Sequence, residues 1–109
     1  MKLSQSLLVA FRDEIQKIWG TKITTQRDCI DLAAAILLKT NSKVGSHTLR
    51  RLFGIVEWNG EFRKTTLDAL ARYAGESSSN DLIRRIQDQE NLVEILVKLQ
   101  VEKVDIDEY

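Results

Sequence analysis

At 109 residues, with 43% apolar and 29% charged content, the chain is sized for one domain around a single core, and it has no unbroken apolar run near the roughly 18 residues a membrane span requires. The 16 Lys and Arg offset the 16 Asp and Glu, but residues 1–76 hold 12 cations against 8 carboxylates and residues 77–109 hold 4 against 8, a +4/−4 split that permits nucleic-acid binding and equally suits head-to-tail association. A single cysteine, Cys29, and a single histidine, His47, rule out an intrachain disulfide and a His/Cys zinc site. Arg12, Asp13 and Glu14 interrupt the N-terminal apolar run before a signal-peptide pattern is complete, so a cytoplasmic setting is expected.

Proline is absent and the apolar residues recur at steps of three and four over most of the chain, which predicts an all-α bundle of five or six helices. In the first segment Leu3, Leu7, Phe11, Ile15, Ile18 and Trp19 form one stripe that ends at Gly20. Thr25 and Asp28 have the spacing of a capping box and start a second helix that runs to about Lys39. Its segment from Leu32 to Leu38 is wholly apolar, which predicts a helix through the middle of the bundle, with three alanines allowing close approach. A polar turn follows. Val44 is expected to plug into the core, and Ser46 to cap a short third helix that ends near Gly54.

The loop IVEWNGEFRK contains an Asn59-Gly60 turn signal, with Trp58 and Phe62 expected to fold back on the body. Thr65 and Asp68 repeat the start spacing for a fourth helix that directs Leu67, Leu70 and Ala71 inward and stops at Gly75. Ser78 and Asp81 repeat it again, opening a fifth helix with Leu82, Ile83 and Ile86. The segment from Leu92 fits helix and strand patterns alike; helix to about Gln100 is favoured by the Glu94–Lys98 spacing and by the lack of a sheet for a strand to join. A single helical domain over 1–100 is therefore expected, with residues 101–109 as an acidic tail or the start of a linker.

On the third helix Leu49, Leu52 and Phe53 share a narrow arc, and at 100° per residue His47 and Arg51 project opposite it, flanked by Thr48 and Arg50. Such donors suit DNA, where arginine can read guanine and the others can bind phosphate. Lys39, Lys43, Arg63, Lys64 and Arg72 on adjoining segments are candidates for further phosphate contacts.

The run from IDLAAAILLKTNSKVGSHTLRRLFG to RKTTLDALARYAG, continuing to NDLI, resembles the helix-turn-helix domain of the Cro/C1 repressor class, with a core over about 25–87. It is more closely similar to N-terminal helical domains of Bacteroidetes-type multidomain proteins, through Thr48, Leu49, Arg51, Leu52 and Gly54 and then Thr66, Leu67, Leu70, Ala71 and Tyr73. The resemblance implies a lambda-repressor-like fold, duplex DNA as partner, a role in transcription regulation, and entry of Ser46, His47, Arg50 and Arg51 into the major groove. The turn before Val44 is about one helical turn longer than in that class, and the turn glycine is replaced by Thr40-Asn41-Ser42.

A second reading is a protein-interaction module, death-fold-like or an effector-associated adaptor, that self-associates or recruits a partner through its oppositely charged halves. Neither catalysis nor a cofactor is expected. The sequence has no phosphate-cradling glycine loop, no Ser/His/Asp set and no framed carboxylate pair, and no small-molecule substrate or membrane partner is implied.

Overall fold

The computed structural model describes residues 2–92, which form five helices and no strand: α1 (Gln5–Trp19), α2 (Gln26–Thr40), α3 (Ser46–Leu52), α4 (Lys64–Tyr73) and α5, which begins at residue 79 and is followed to residue 92. The expectations for residues 93–109, the helix to about 100 and the acidic tail, lie outside the described residues. No helix among the described residues is long and apolar enough to cross a membrane.

Each helix is amphipathic, and the buried stripes meet in one core. α1 contributes Phe11 and Ile15, α2 Cys29, Leu32 and Ile36, α3 Leu49 and Leu52, and α5 Leu82 and Ile86. The α1 stripe loses Ile18 at its end, which is exposed. α4 is hidden most deeply. It packs on both α1 and α2, and Leu67, Ala69, Leu70, Ala71 and Tyr73 are all buried on it, the two alanines letting neighbouring backbones come close.

This corrects the expectation that α2 crosses the middle. Only the residues of α2 that share a helical phase, Cys29, Leu32 and Ile36, are buried, while Ala34, Leu37 and Leu38 face outward. An unbroken apolar run winds around the helix, so half of it must point away from any single packing partner.

The helix starts divide in the same way. At α2 the capping box forms: Thr25 Oγ1 accepts from the Asp28 N–H at 3.1 Å, and the Asp28 carboxylate accepts from the Thr25 N–H at 3.1 Å. At α5 the Ser78 hydroxyl accepts from the Asp81 N–H at 3.3 Å. The start expected at Thr65 and Asp68 does not form. α4 begins at Lys64 without a side-chain cap, because Asp68 is engaged elsewhere: its Oδ1 accepts from the N–H of Ser79 at 2.8 Å and from its hydroxyl at 2.6 Å, tying α4 to the start of α5. Ser46 is likewise not a cap. Gly45 holds the cap position in extended conformation, and Ser46 is the first helical residue.

Polar ties between elements complete the frame. Arg85 on α5 bridges Glu14 of α1 at 2.6 Å and Glu76 at 3.0 Å. Gln16 accepts from the Ile23 N–H at 2.8 Å, fixing the loop between α1 and α2 while Ile23 enters the core.

Candidate nucleic-acid interface

The segment joining α2 to α3 sets where the cations point. α2 ends at Asn41 in the left-handed region, φ 57°, with its N–H donating to the Leu37 carbonyl at 2.9 Å. Asparagine tolerates this conformation better than most side chains, so it substitutes for the glycine of a tighter turn. Thr40 Oγ1 donates to the Ile36 carbonyl at 2.7 Å and accepts from the Ser42 N–H, and Arg72 of α4 donates to Ser42 Oγ at 2.6 Å. Val44 is buried, as expected. Five residues thus separate α2 from α3, and the turn they make is pinned from three sides.

Beyond this turn lies a polar recess of about 380 Å³, between α3 and the segment entering α4, lined among others by Lys43, His47, Thr48, Arg51, Trp58 and Arg63. Glu61 is the one carboxylate among its lining residues, beside the three permanent cations Lys43, Arg51 and Arg63. His47 is exposed, and its imidazole lies beside Gly45, where a Cβ would stand 3.2 Å from Cε1, so a larger residue there would displace the ring.

Arg51 is held rather than free. Its guanidinium lies over the Trp58 ring, 4.2 Å from the centroid, and the edge of the same indole occupies the space where a side chain on Gly60 would begin. The Asn59-Gly60 turn therefore does two things: it reverses the chain and lets Trp58 lie back against Arg51. Phe62, two residues on, is buried. At the same C-terminal end of α3, Arg12 Nε donates to the Leu52 carbonyl at 2.6 Å, so α1 clasps the helix next to Arg51.

The other candidates lie apart from this recess. Arg50 is half-buried: its Nε is buried without a hydrogen-bond partner among the described residues, and its charge acts on the buried Cys29 thiol. In its exposure it matches Thr48 and Arg51, in keeping with the flanking position expected for it. Lys39 Nζ donates to the Tyr73 carbonyl at 2.8 Å and lies 5.1 Å from the Tyr73 ring centroid, satisfying the C-terminal end of α4. Lys64 pairs with Asp68 at 3.1 Å. Ser46 begins α3 and is half-buried.

Two positions matter that the sequence reading did not assign to the site: Trp58, expected only as a packing residue, and Arg12. The pairing of an aromatic with a following Asn-Gly turn was the available signal for Trp58; nothing local marks Arg12.

Chemically the recess is suited to anionic oxygens. Lysine and arginine side chains reaching one face bind phosphates without reading sequence, and an exposed histidine adds a donor or acceptor. Among the described residues no three His, Cys, Asp or Glu gather in a metal-binding group. A larger recess, about 980 Å³, lies between α1 and α5 and is lined by groups of both signs such as Asp13, Glu14, Lys17 and Lys22. Comparison with family models, with curated proteins and with solved structures gave no match.

Proposed function

We propose that the chain is a helix-turn-helix DNA-binding domain, acting in transcription regulation, that seats α3 and the segment entering α4 on duplex DNA. The observation that carries this reading is the convergence of Lys43, Arg51 and Arg63, with exposed His47, on one recess beside α3. The sequence resemblance to the repressor class and the α2–turn–α3 order support it. In this arrangement Lys43 and Arg63 take phosphate oxygens, while Arg51 and His47 are the side chains turned toward base edges. Arg50 is left out of the contact surface because its Nε is buried, and Lys39 because of its bond to Tyr73.

Two phosphate-bound cations, Lys43 and Arg63, imply about two neutralised phosphates and a log–log salt slope near −1.8, so affinity for random duplex should fall about 12-fold between ~50 and ~200 mM salt. Fluorescence anisotropy with a labelled duplex tests this. Micromolar binding at the lower salt is expected, with at least a tenfold loss, to order of magnitude, in Lys43→Glu/Arg63→Glu and little change in Arg84→Glu, which alters exposed α5 instead. Absence of binding by the native chain at ~50 mM salt overturns the reading.

The second reading, a protein-interaction module, draws on a different observation: α2 leaves an apolar face uncovered, with Leu38 88% exposed.

A further inference from the structure

The chain has four asparagines, Asn41, Asn59, Asn80 and Asn91, and Asn59 alone is followed by glycine. An asparagine is chemically labile when the next main-chain nitrogen can attack its side-chain carbon, which calls for an N–H free of other bonds and a following residue without bulk. At Asn41 the following N–H, that of Ser42, donates to Thr40 Oγ1 at 3.2 Å. At Asn80 the N–H of Asp81 donates to Ser78 Oγ at 3.3 Å, and Asn91 lies within α5. Asn59 is exposed and outside any helix; among the described residues its side chain makes no hydrogen bond, and neither does the Gly60 N–H.

Charge around the pair favours the same attack. Asn59 and Gly60 line a recess of about 500 Å³ together with Lys2, Arg12, Arg51 and Glu57, three permanent cations against one carboxylate. None of the three cations forms an ion pair with a described carboxylate. Arg12 is tied to the Leu52 carbonyl and Arg51 lies on Trp58, so both guanidiniums are held in place. A main-chain nitrogen must shed its proton to attack, and nearby positive charge favours the anion that results.

We propose that Asn59 is a site of spontaneous deamidation in the folded chain, promoted by the cations of this recess. The Gly60 nitrogen gives its proton to hydroxide and bonds to Asn59 Cγ; the Cγ–Nδ2 bond breaks, and ammonia leaves with a proton taken from water. The cyclic imide so formed adds one water. Opening at Cγ gives an aspartate, and opening at the main-chain carbonyl gives an isoaspartate, whose backbone is longer by one carbon; no atom is oxidised or reduced. Either product sets a carboxylate in the recess of Lys2, Arg12 and Arg51, and the isoaspartate also lengthens the turn that lays Trp58 against Arg51. Arg51 lines this recess and the one beside α3 alike, so, resting on the DNA reading, conversion weakens duplex binding severalfold.

Peptide mapping by mass spectrometry tests this on the full chain, incubated without DNA at mildly alkaline pH. Asn59 should convert ahead of Asn41, Asn80 and Asn91, to a mixture of aspartate and isoaspartate, and severalfold faster at low than at high salt, where the cations are screened. Lys2→Gln should slow the conversion, and Asn59→Gln, in which attack would have to close a larger ring, should leave the position intact. An order in which any other asparagine converts first, conversion of Asn59 only after unfolding in urea, or a rate unaffected by both salt and Lys2→Gln overturns the proposal. Conversion is read on chain free of DNA, so this proposal and the DNA reading fail separately.

Discussion

Arg51 and Trp58 form a stacked pair, with the guanidinium carbon 4.2 Å from the ring centroid, so one of the cations lining the recess reaches it already oriented. A guanidinium held by an aromatic face loses less side-chain freedom on binding than a lysine on a bare helix. Trp58→Ala should lower stability by about 0.5–1 kcal/mol, as for an exposed cation–π pair, and should weaken duplex binding severalfold although no charge is removed. Trp58→Phe should retain part of both. Denaturant titration and anisotropy on the three chains check this; equal affinity for native and Trp58→Ala would show that Arg51 needs no support.

The Asp68 carboxylate is held down to a pKa of about 2, first by the hydroxyl and then by the N–H of Ser79, with Lys64 adding to both. A carboxylate whose folded pKa lies below its ordinary value of 3.8 stabilises the fold above that value and loses the contribution as pH falls through about 2. The stability difference between native and Asp68→Asn should therefore be constant above pH ~5 and shrink between about 4 and 2. Asp68→Ala should cost about 1–3 kcal/mol, since the fully buried Ser79 loses its acceptor. Urea unfolding at a series of pH values decides the matter.

Arg85 joins α1 to the connection between α4 and α5 through Glu14 and Glu76, and the Glu14 side chain is only 12% exposed. Arg85→Leu should destabilise by about 1.5–3 kcal/mol, the scale of hydrogen bonds to charged groups, and the loss should change little with salt because the pair is shielded from solvent. An effect that vanishes at high salt would mark Arg85 as a surface charge.

Burial pushes the Cys29 thiol pKa upward, the nearby Asp28 adds to this, and Arg50 opposes it. Native Cys29 should therefore resist alkylation at neutral pH and react only as fast as the fold opens. Arg50→Glu should speed this reaction and lower the unfolding midpoint, because it places a carboxylate where a part-buried cation stood, whereas Arg51→Glu should chiefly weaken DNA binding. The same duplex loss in both variants with unchanged thiol protection would return Arg50 to the contact surface.

The sequence carried the helical class because periodicity and caps are local properties. Thr25 with Asp28 and Ser78 with Asp81 act where their spacing places them, and Leu49 and Leu52 are buried as their phase requires. Failures came wherever a distant residue competed. Asp68 has the spacing of a cap partner for Thr65 but binds Ser79, eleven positions away. Of two adjacent arginines, Arg51 stacks on Trp58 and Arg50 has its Nε buried, a difference made by residues outside the helix and invisible to the helical period. The recess was legible in its cations at Lys43, Arg51 and Arg63 and in His47; its supports, Trp58 and Arg12, act from the following loop and from α1.

α3 has seven residues. At 1.5 Å per residue it is about 10 Å long, and base pairs are stacked 3.4 Å apart, so on the proposed DNA reading it can inspect only about three of them. A three-letter word recurs by chance at about one position in 64, which makes the information one copy extracts from a genome close to negligible. Selectivity in a cell would then have to be a property of how many copies arrive together and how far apart they are held.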